Sequence, residues 1–278
     1  MNAKAFVSSV QSTLQKAKDV KDEEKLYKYN GVLYPLLMCP EVNLKALENF
    51  RAREDDIMLV AYPKCVIHVV HTTGEQVCNK DSCPQVMEET PSPRFLGTHL
   101  HPDNLPASFE EKKTKMLVIF RNPKDTLVSF FHFSNNNPVL PSESWESFYS
   151  HFLSGDVPWG SYFEHALAWE KKMDDPNVMI VTYEELKQGV RQITTFFGFS
   201  LTEAQVQQIS DGSTFSAMKE NSINSHGAMG NIIFRKGEVG DWRNHFTPEQ
   251  SQQMDDAFNK HLAGTRLGAK LNYQQHCQ

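Results

Sequence analysis

The 278 residues carry 40% hydrophobic side chains, enough for one large packed domain, and this excludes a disordered or fibrous chain. Against 34 Asp and Glu stand only 28 Lys and Arg, a balance that argues against nucleic acid or another polyanion as the main partner while leaving room for local anion sites. Five cysteines, an odd number in no paired Cys-x-x-Cys set, suit a reducing compartment.

In chain order, residues 1–30 read as an amphipathic or loosely ordered arm, with the charge run Lys18 to Lys28 as a solvated face. Phe6, Val7, Val10 and Leu14 lie among lysines, so no signal-peptide core is present, and no later stretch reaches membrane-spanning length. These features imply a cytosolic protein that does not enter a membrane. Gly31 to Pro35 is a turn followed by an extended piece, and Leu44, Leu47 and Phe50 fall at helical spacing.

Ile57 to Ala61 is an apolar run without polar alternation, the pattern of a strand buried on both faces, and Tyr62-Pro63-Lys64 ends it with a cation. Val66 to His71 reads equally as a helix or a strand. Cys78, Cys83, His68 and His71 match no standard zinc spacing, so no metal is expected. Phe95 to His99 predicts a short strand. Lys115 to Phe120 is a buried strand closed by Arg121, and Asn122-Pro123-Lys124-Asp125 then supplies a cap, a proline for the first helical position and an acid for the first turn. That helix runs to about His132.

Two aromatic-faced helices are predicted over Trp145–Leu153 and Trp159–Lys172, then a strand over Val178–Thr182. Thr202 to Gln205 is a capping box, and Ser213 or Thr214 caps a short helix through Met218. A glycine-spaced loop spans His226 to Gly240, and Thr247 caps a final helix. Strands alternating with helices, with no repeat or linker, predict one α/β domain over 1–278 with a central parallel sheet flanked by helices.

A parallel sheet presents its ligand groups at the carboxyl ends of the strands. The candidates there are Lys64, His99, Arg121 with Ser129, and Tyr183, joined by Arg235, Lys236 and Gly237 from the late loop. On composition His101 rivals His99, and on spacing Phe215 and Met218 read more readily as core than as cofactor contacts. The motifs Tyr62-Pro-Lys64, Thr98-His99, Phe120-Arg-Asn-Pro-Lys-Asp125 with Ser129, Tyr183-Glu-Glu-Leu186 and Phe234-Arg-Lys-Gly-Glu-Val-Gly-Asp-Trp242 together resemble the cytosolic sulfotransferase family, most of all its family 6, subfamily B branch, from about Gly31 to Tyr273.

The resemblance implies a P-loop-like fold and transfer of a sulfuryl group from 3′-phosphoadenosine 5′-phosphosulfate (PAPS) to a hydroxyl or amine of a small lipophilic acceptor, without a metal. It implies His99 as general base and Lys64 as the cation at the bridging oxygen and 5′-phosphate. It places Lys64 and Cys65 in the phosphate loop, and Arg121, Ser129, Arg235, Lys236 and Gly237 at the 3′-phosphate. Tyr183, Ser213, Thr214, Phe215 and Met218 would line the adenine pocket.

The sequence departs from the family at several points. Val66-Ile67-His68-Val69 replaces the glycine, the hydrogen-bonding residues and the tryptophan that follow the lysine, by substitution or by loss of about four residues. Gly97 stands where a lysine is common. The regions His71–Pro93 and Lys187–Gln192 are short, and the dimer motif survives only as Arg243, Thr247, Pro248 and Gln252, so the homodimer the family implies is weakly encoded. A relative that binds the nucleotide without transferring sulfate is the alternative reading. A P-loop kinase is disfavoured because Gly-x-x-x-x-Gly-Lys-Ser/Thr is absent.

Overall fold

The computed structural model describes residues 3–65, 87–186 and 189–278. The organising element is a four-stranded, all-parallel sheet built from β3 (Ile57–Ala61), β4 (Phe95–Thr98), β5 (Lys115–Phe120) and β6 (Val178–Thr182), in the order β4-β3-β5-β6. Every residue of β5 after Lys115 is buried, the signature of a strand covered on both faces. Ala61 is level with Ile119, and Phe120 with Thr182. That register brings the carboxyl ends of β3, β5 and β6 to one edge, and with them Lys64, Arg121 and Tyr183.

After β5 the chain turns into α4 (Pro123–Asn136), with α1 to α3 being Ala3–Ala17, Glu41–Leu47 and Ala107–Glu111. Asn122 caps α4 by accepting from the Asp125 N–H at 2.9 Å, and Pro123 and Asp125 occupy the places their chemistry suits. Beneath the turn lies an aromatic layer in which Tyr62 meets Phe130, Phe152 and Tyr162 edge to face. Phe152 and Tyr162 belong to α5 (Trp145–Ser154) and α6 (Tyr162–Glu170). The Tyr162 hydroxyl donates to the Arg121 carbonyl at 2.8 Å, and the Tyr62 hydroxyl to the Gly160 carbonyl at 2.8 Å. The layer therefore fixes the floor of the strand-end crevice.

The N-terminal segment takes the amphipathic form among the two the sequence allowed, with Lys25 the buried exception in an otherwise largely exposed charge run. Residues 3–17 form a helix, α1, whose Val10, Leu14 and Ala17 make a stripe at helical spacing that packs inward. What the sequence suggested was a solvated charge run ends in a hairpin, β1 (Leu26–Tyr29) paired with β2 (Val32–Pro35). Asn30 and Gly31 both have positive φ, 48° and 83°, as a two-residue hairpin turn requires. That Asn-Gly signal was present in the sequence, but the lysines around it masked it. Lys25 is buried, with its ammonium 2.6 Å from Asp22.

Past β6 come α7 (Val190–Phe197), α8 (Glu203–Gly212), α9 (Phe215–His226) and α10 (Met229–Ile233), the last within the stretch expected to be loop. Thr214 caps α9, which runs eight residues beyond Met218. The helix capped by Thr247, α11 (Pro248–His261), is not the last, since α12 (Arg266–Lys270) and α13 (Tyr273–Cys277) follow. The degenerate dimer residues have intrachain partners: Thr247 closes the capping box with Gln250, Gln252 donates to Asp256 at 3.0 Å, and Arg243 donates to the Gln278 carbonyl.

At the opposite edge of the sheet, Arg94 and Asp56, 1% and 2% exposed, join the starts of β4 and β3. Arg94 Nε donates to Asp56 Oδ1 at 2.7 Å, and the Ile57 N–H donates to the Arg94 carbonyl at 2.9 Å. Asp56→Ala leaves a buried guanidinium without its charge partner, so denaturant unfolding is expected to show a loss of about 3–5 kcal/mol. A loss under about 1 kcal/mol contradicts that role.

Candidate active site

Lys64, Arg121, Ser129, Phe215, Arg235, Lys236 and Gly237 line one small cleft at the strand ends, together with Ile233 and Glu238. Its accessible volume of about 20 Å³ is little more than one water needs. The cleft thus unites the lysine after β3, the arginine after β5, the serine two turns into α4 and the late loop, as the sequence suggested.

Arg121 is the deepest of its cations, 6% exposed. One terminal nitrogen donates to the Glu238 carbonyl at 2.6 Å and lies 3.8 Å from Asp125. Its guanidinium sits 4.6 Å above the Tyr183 ring, whose hydroxyl donates to the Gly237 carbonyl at 3.2 Å. Arg121 Nε is buried and has no hydrogen-bond partner, a cost that an oxyanion acceptor would remove.

Arg235 and Lys236 are held from the side by Asp241, at 2.5 Å and 2.6 Å. Burial pushes the Asp241 carboxyl up, but hydrogen bonds from Lys236, Asn244 and Arg235 outweigh it and hold the group well below the usual carboxylate range. Gly237 takes φ +69°, and a β-carbon there would lie 2.1 Å from the Phe215 ring, so that position requires glycine.

Lys64 also has positive φ, 69°, a strained choice for a side chain with a Cβ. Its ammonium lies 4.6 Å over the Phe133 ring, and burial, with Arg121 and Arg235 nearby, lowers its pKa to about 7.

His99 lies beyond the other strand end and is buried, with Nδ1 2.6 Å from the Ala61 carbonyl. A carbonyl only accepts, so Nδ1 carries the hydrogen and Nε2 keeps the lone pair. The Trp159 ring stands edge-on to the imidazole at 5.2 Å. Burial, and the charge of Lys64, lower the His99 pKa to about 4 despite the Ala61 bond. His101, its rival, caps the next turn by accepting from the Asp103 N–H.

Not every expected contact is formed. Cys65 does not line the cleft: its thiol is in the core 3.6 Å from the Thr126 hydroxyl, and burial pushes its pKa up to about 12. Ser213 and Thr214 are exposed, and Met218 is half-buried outside the cleft lining, leaving Phe215 as the α9 residue that reaches it. The Val66–Val69 departure, the cysteine and histidine group after it and Lys187 lie outside the described residues. Among the described residues no cluster of three or more His, Cys, Asp or Glu could hold a metal.

Residues 4–266 match the sulfotransferase domain family. The chain is a member of that family. Among its relatives are sulfotransferase 6B1 of Danio rerio, 52% identical over 98% of this chain and 100% of the relative, and that of Mus musculus, 46% identical over 98% and 97%. The alignment to the former runs over 296 residues, at least 18 more than the 278 of this chain, so the family sequence is locally shortened here. The crystal structure of mouse sulfotransferase SULT7A1 complexed with PAP superposes at TM-score 0.81 and 36% identity, covering 90% of this chain and 99% of that one. Retinol dehydratase, in a complex with retinol and PAP, shares the fold at TM-score 0.71 and 20% identity.

Because Lys64 is protonated below about pH 7 and neutral above it, the cleft's affinity for sulfate, whose own charge does not change there, is expected to fall as pH rises through about 7. Sulfate titrations from pH 6 to 8.5 read this directly. Lys64→Arg should abolish the dependence, and a flat wild-type profile contradicts the assignment.

Proposed function

We propose that the chain transfers a sulfuryl group from PAPS to a hydroxyl or amine of a small lipophilic acceptor such as a phenol, steroid or thyroid-hormone-like compound. The observation that carries this is the partnerless Nε of buried Arg121, inside a ring of cations, in a family member whose structural neighbour is complexed with PAP. The nucleotide supplies the activated sulfuryl group, and everything else falls to the side chains.

Arg121, Ser129, Arg235, Lys236 and the Gly237 N–H hold the 3′-phosphate, with charge-assisted bonds that select this nucleotide over one lacking that group. Tyr183 and Phe215 flank it, and Ser213, Thr214 and Met218 reach the adenine side once the ligand is seated. Lys64 offsets charge on the departing phosphate, and a bound anion raises its pKa again. His99 takes the acceptor's proton at Nε2 as the new oxygen–sulfur bond forms and the donor's bond to the bridging oxygen breaks. Its low pKa keeps it neutral, and so competent as a base, at pH 7. No metal takes part.

Cytosolic residence and a homodimer belong to the same proposal. Cys65 and Cys277 are in no disulfide, which suits a reducing compartment. A second reading, nucleotide binding without transfer, is favoured by the inward-turned Cys65 and by the shortening of the family sequence. One preorganised donor lost from such a site costs about 10²–10³ in rate.

Radiolabelled sulfate from PAPS should appear on a phenol or iodothyronine, and His99→Ala should lower kcat by about 10²–10⁴. The wild-type rate should climb with pH along a limb near 4 rather than 6.5. PAP binding with no label transferred to any acceptor of these classes establishes the second reading instead.

A further inference from the structure

The two halves of the anion site come from chain segments more than a hundred residues apart, Arg121 before α4 and Arg235 to Gly237 after α10. One carboxylate joins them. Asp125 is 1% exposed. Its Oδ2 accepts from the Gly240 N–H at 2.7 Å and from Asn122 Nδ2 at 2.8 Å, and lies 3.8 Å from the Arg121 guanidinium. Its Oδ1 accepts from the Trp242 N–H at 3.0 Å. Between those two amides stands Asp241, which grips Arg235 and Lys236. From the other side, Arg121 donates to the Glu238 carbonyl at 2.6 Å.

We propose that Asp125 is a positioning residue for the 3′-phosphate, holding the Gly237–Trp242 loop at the distance from Arg121 at which both halves grip one phosphate. The inference rests on the PAPS reading above and names a residue that need not touch the ligand. Its chemistry makes the role specific. Both oxygens receive N–H donors, so an amide of the same shape can satisfy one side only. In Asp125→Asn, whichever way the amide turns, an NH₂ group faces a backbone N–H. The loop is then released at Gly240 or at Trp242, while α4 keeps its cap through Asn122.

The test compares two probes by calorimetry, with displacement for the weaker one: 3′-phosphoadenosine 5′-phosphate, and adenosine 5′-phosphate, which lacks the 3′-phosphate. In Asp125→Asn the affinity for the first should fall about ten-fold or more while that for the second stays within about two-fold, so the preference between them collapses. Equal losses for both, or an unchanged preference, overturn the proposal and leave the PAPS reading standing. Absence of any preference in the wild-type protein overturns both. Should the variant not fold, hydrogen exchange on the wild type decides: the Gly240 and Trp242 amides must be protected without ligand, and rapid exchange at both refutes the clamp.

Discussion

The structure depends on a crowd of positive charge held at the carboxyl ends of parallel strands. Lys64, Arg121, Arg235 and Lys236 share one cleft against two carboxylates, Asp125 and Asp241, that approach from behind. Like charges at such range repel, and burial strengthens the repulsion because less water screens it. Burial first, and then the charges of Arg121 and Arg235, depress the pKa of Lys64. A fold keeps such an arrangement only where the scaffold around it is rigid, and here it is: the Arg121 carbonyl is bonded from the aromatic layer, and the following helix is capped and packed.

The rigidity extends to the C-terminus. Lys124, fully buried, donates to Ser251 and to the Cys277 carbonyl at 2.7 Å and 2.8 Å and pairs with Asp255 at 2.6 Å. Trp242 Nε1 donates to the His276 carbonyl at 2.9 Å. The last helix is therefore strapped behind the loop that completes the anion site. Alternate residues of the turn Arg121 to Asp125 serve two masters, since Arg121 and Asp125 face the cleft and its loop while Lys124 faces the strap.

Much of this was legible in the sequence because it rests on short-range rules. Apolar runs closed by a cation marked β3 and β5, and Asn122, Pro123 and Asp125 marked the start of α4. The convergence of Lys64, Arg121, Ser129 and Arg235 followed from parallel topology together with family resemblance. What escaped was tertiary. The stripe of Val10, Leu14 and Ala17 means little until another helix covers it, and Lys25 looked solvated because a buried lysine needs a partner that sequence order hides. Cys65 shared the fate of every residue placed by its neighbour in a motif, as one peptide further along the turn its side chain points into the core. Asp125 read as a helix-turn acid, and nothing local shows that its carboxylate serves a loop 115 residues away.

Asp241 raises the question whether a site already supplied with a carboxylate has charge left for a ligand. The geometry answers it. Asp241 takes one nitrogen of Arg235 and the ammonium of Lys236 from the side of the Asp241–Asn244 turn, and this orients both without covering Arg121 or Lys64. Orientation fixed before binding lowers the ordering cost when a ligand arrives. Four cations against Asp125, Asp241 and the Glu238 at the cleft's rim still leave an excess of positive charge, and that excess lies next to the partnerless Arg121 nitrogen. On the proposed reading the groups for the 3′-phosphate come from the described scaffold, whereas those for the phosphosulfate depend in part on the loop after Cys65, where the sequence departs from its family. On that reading, affinity for the nucleotide and the capacity to transfer its sulfuryl group rest largely on separate parts of the chain, so that one can be lost without the other.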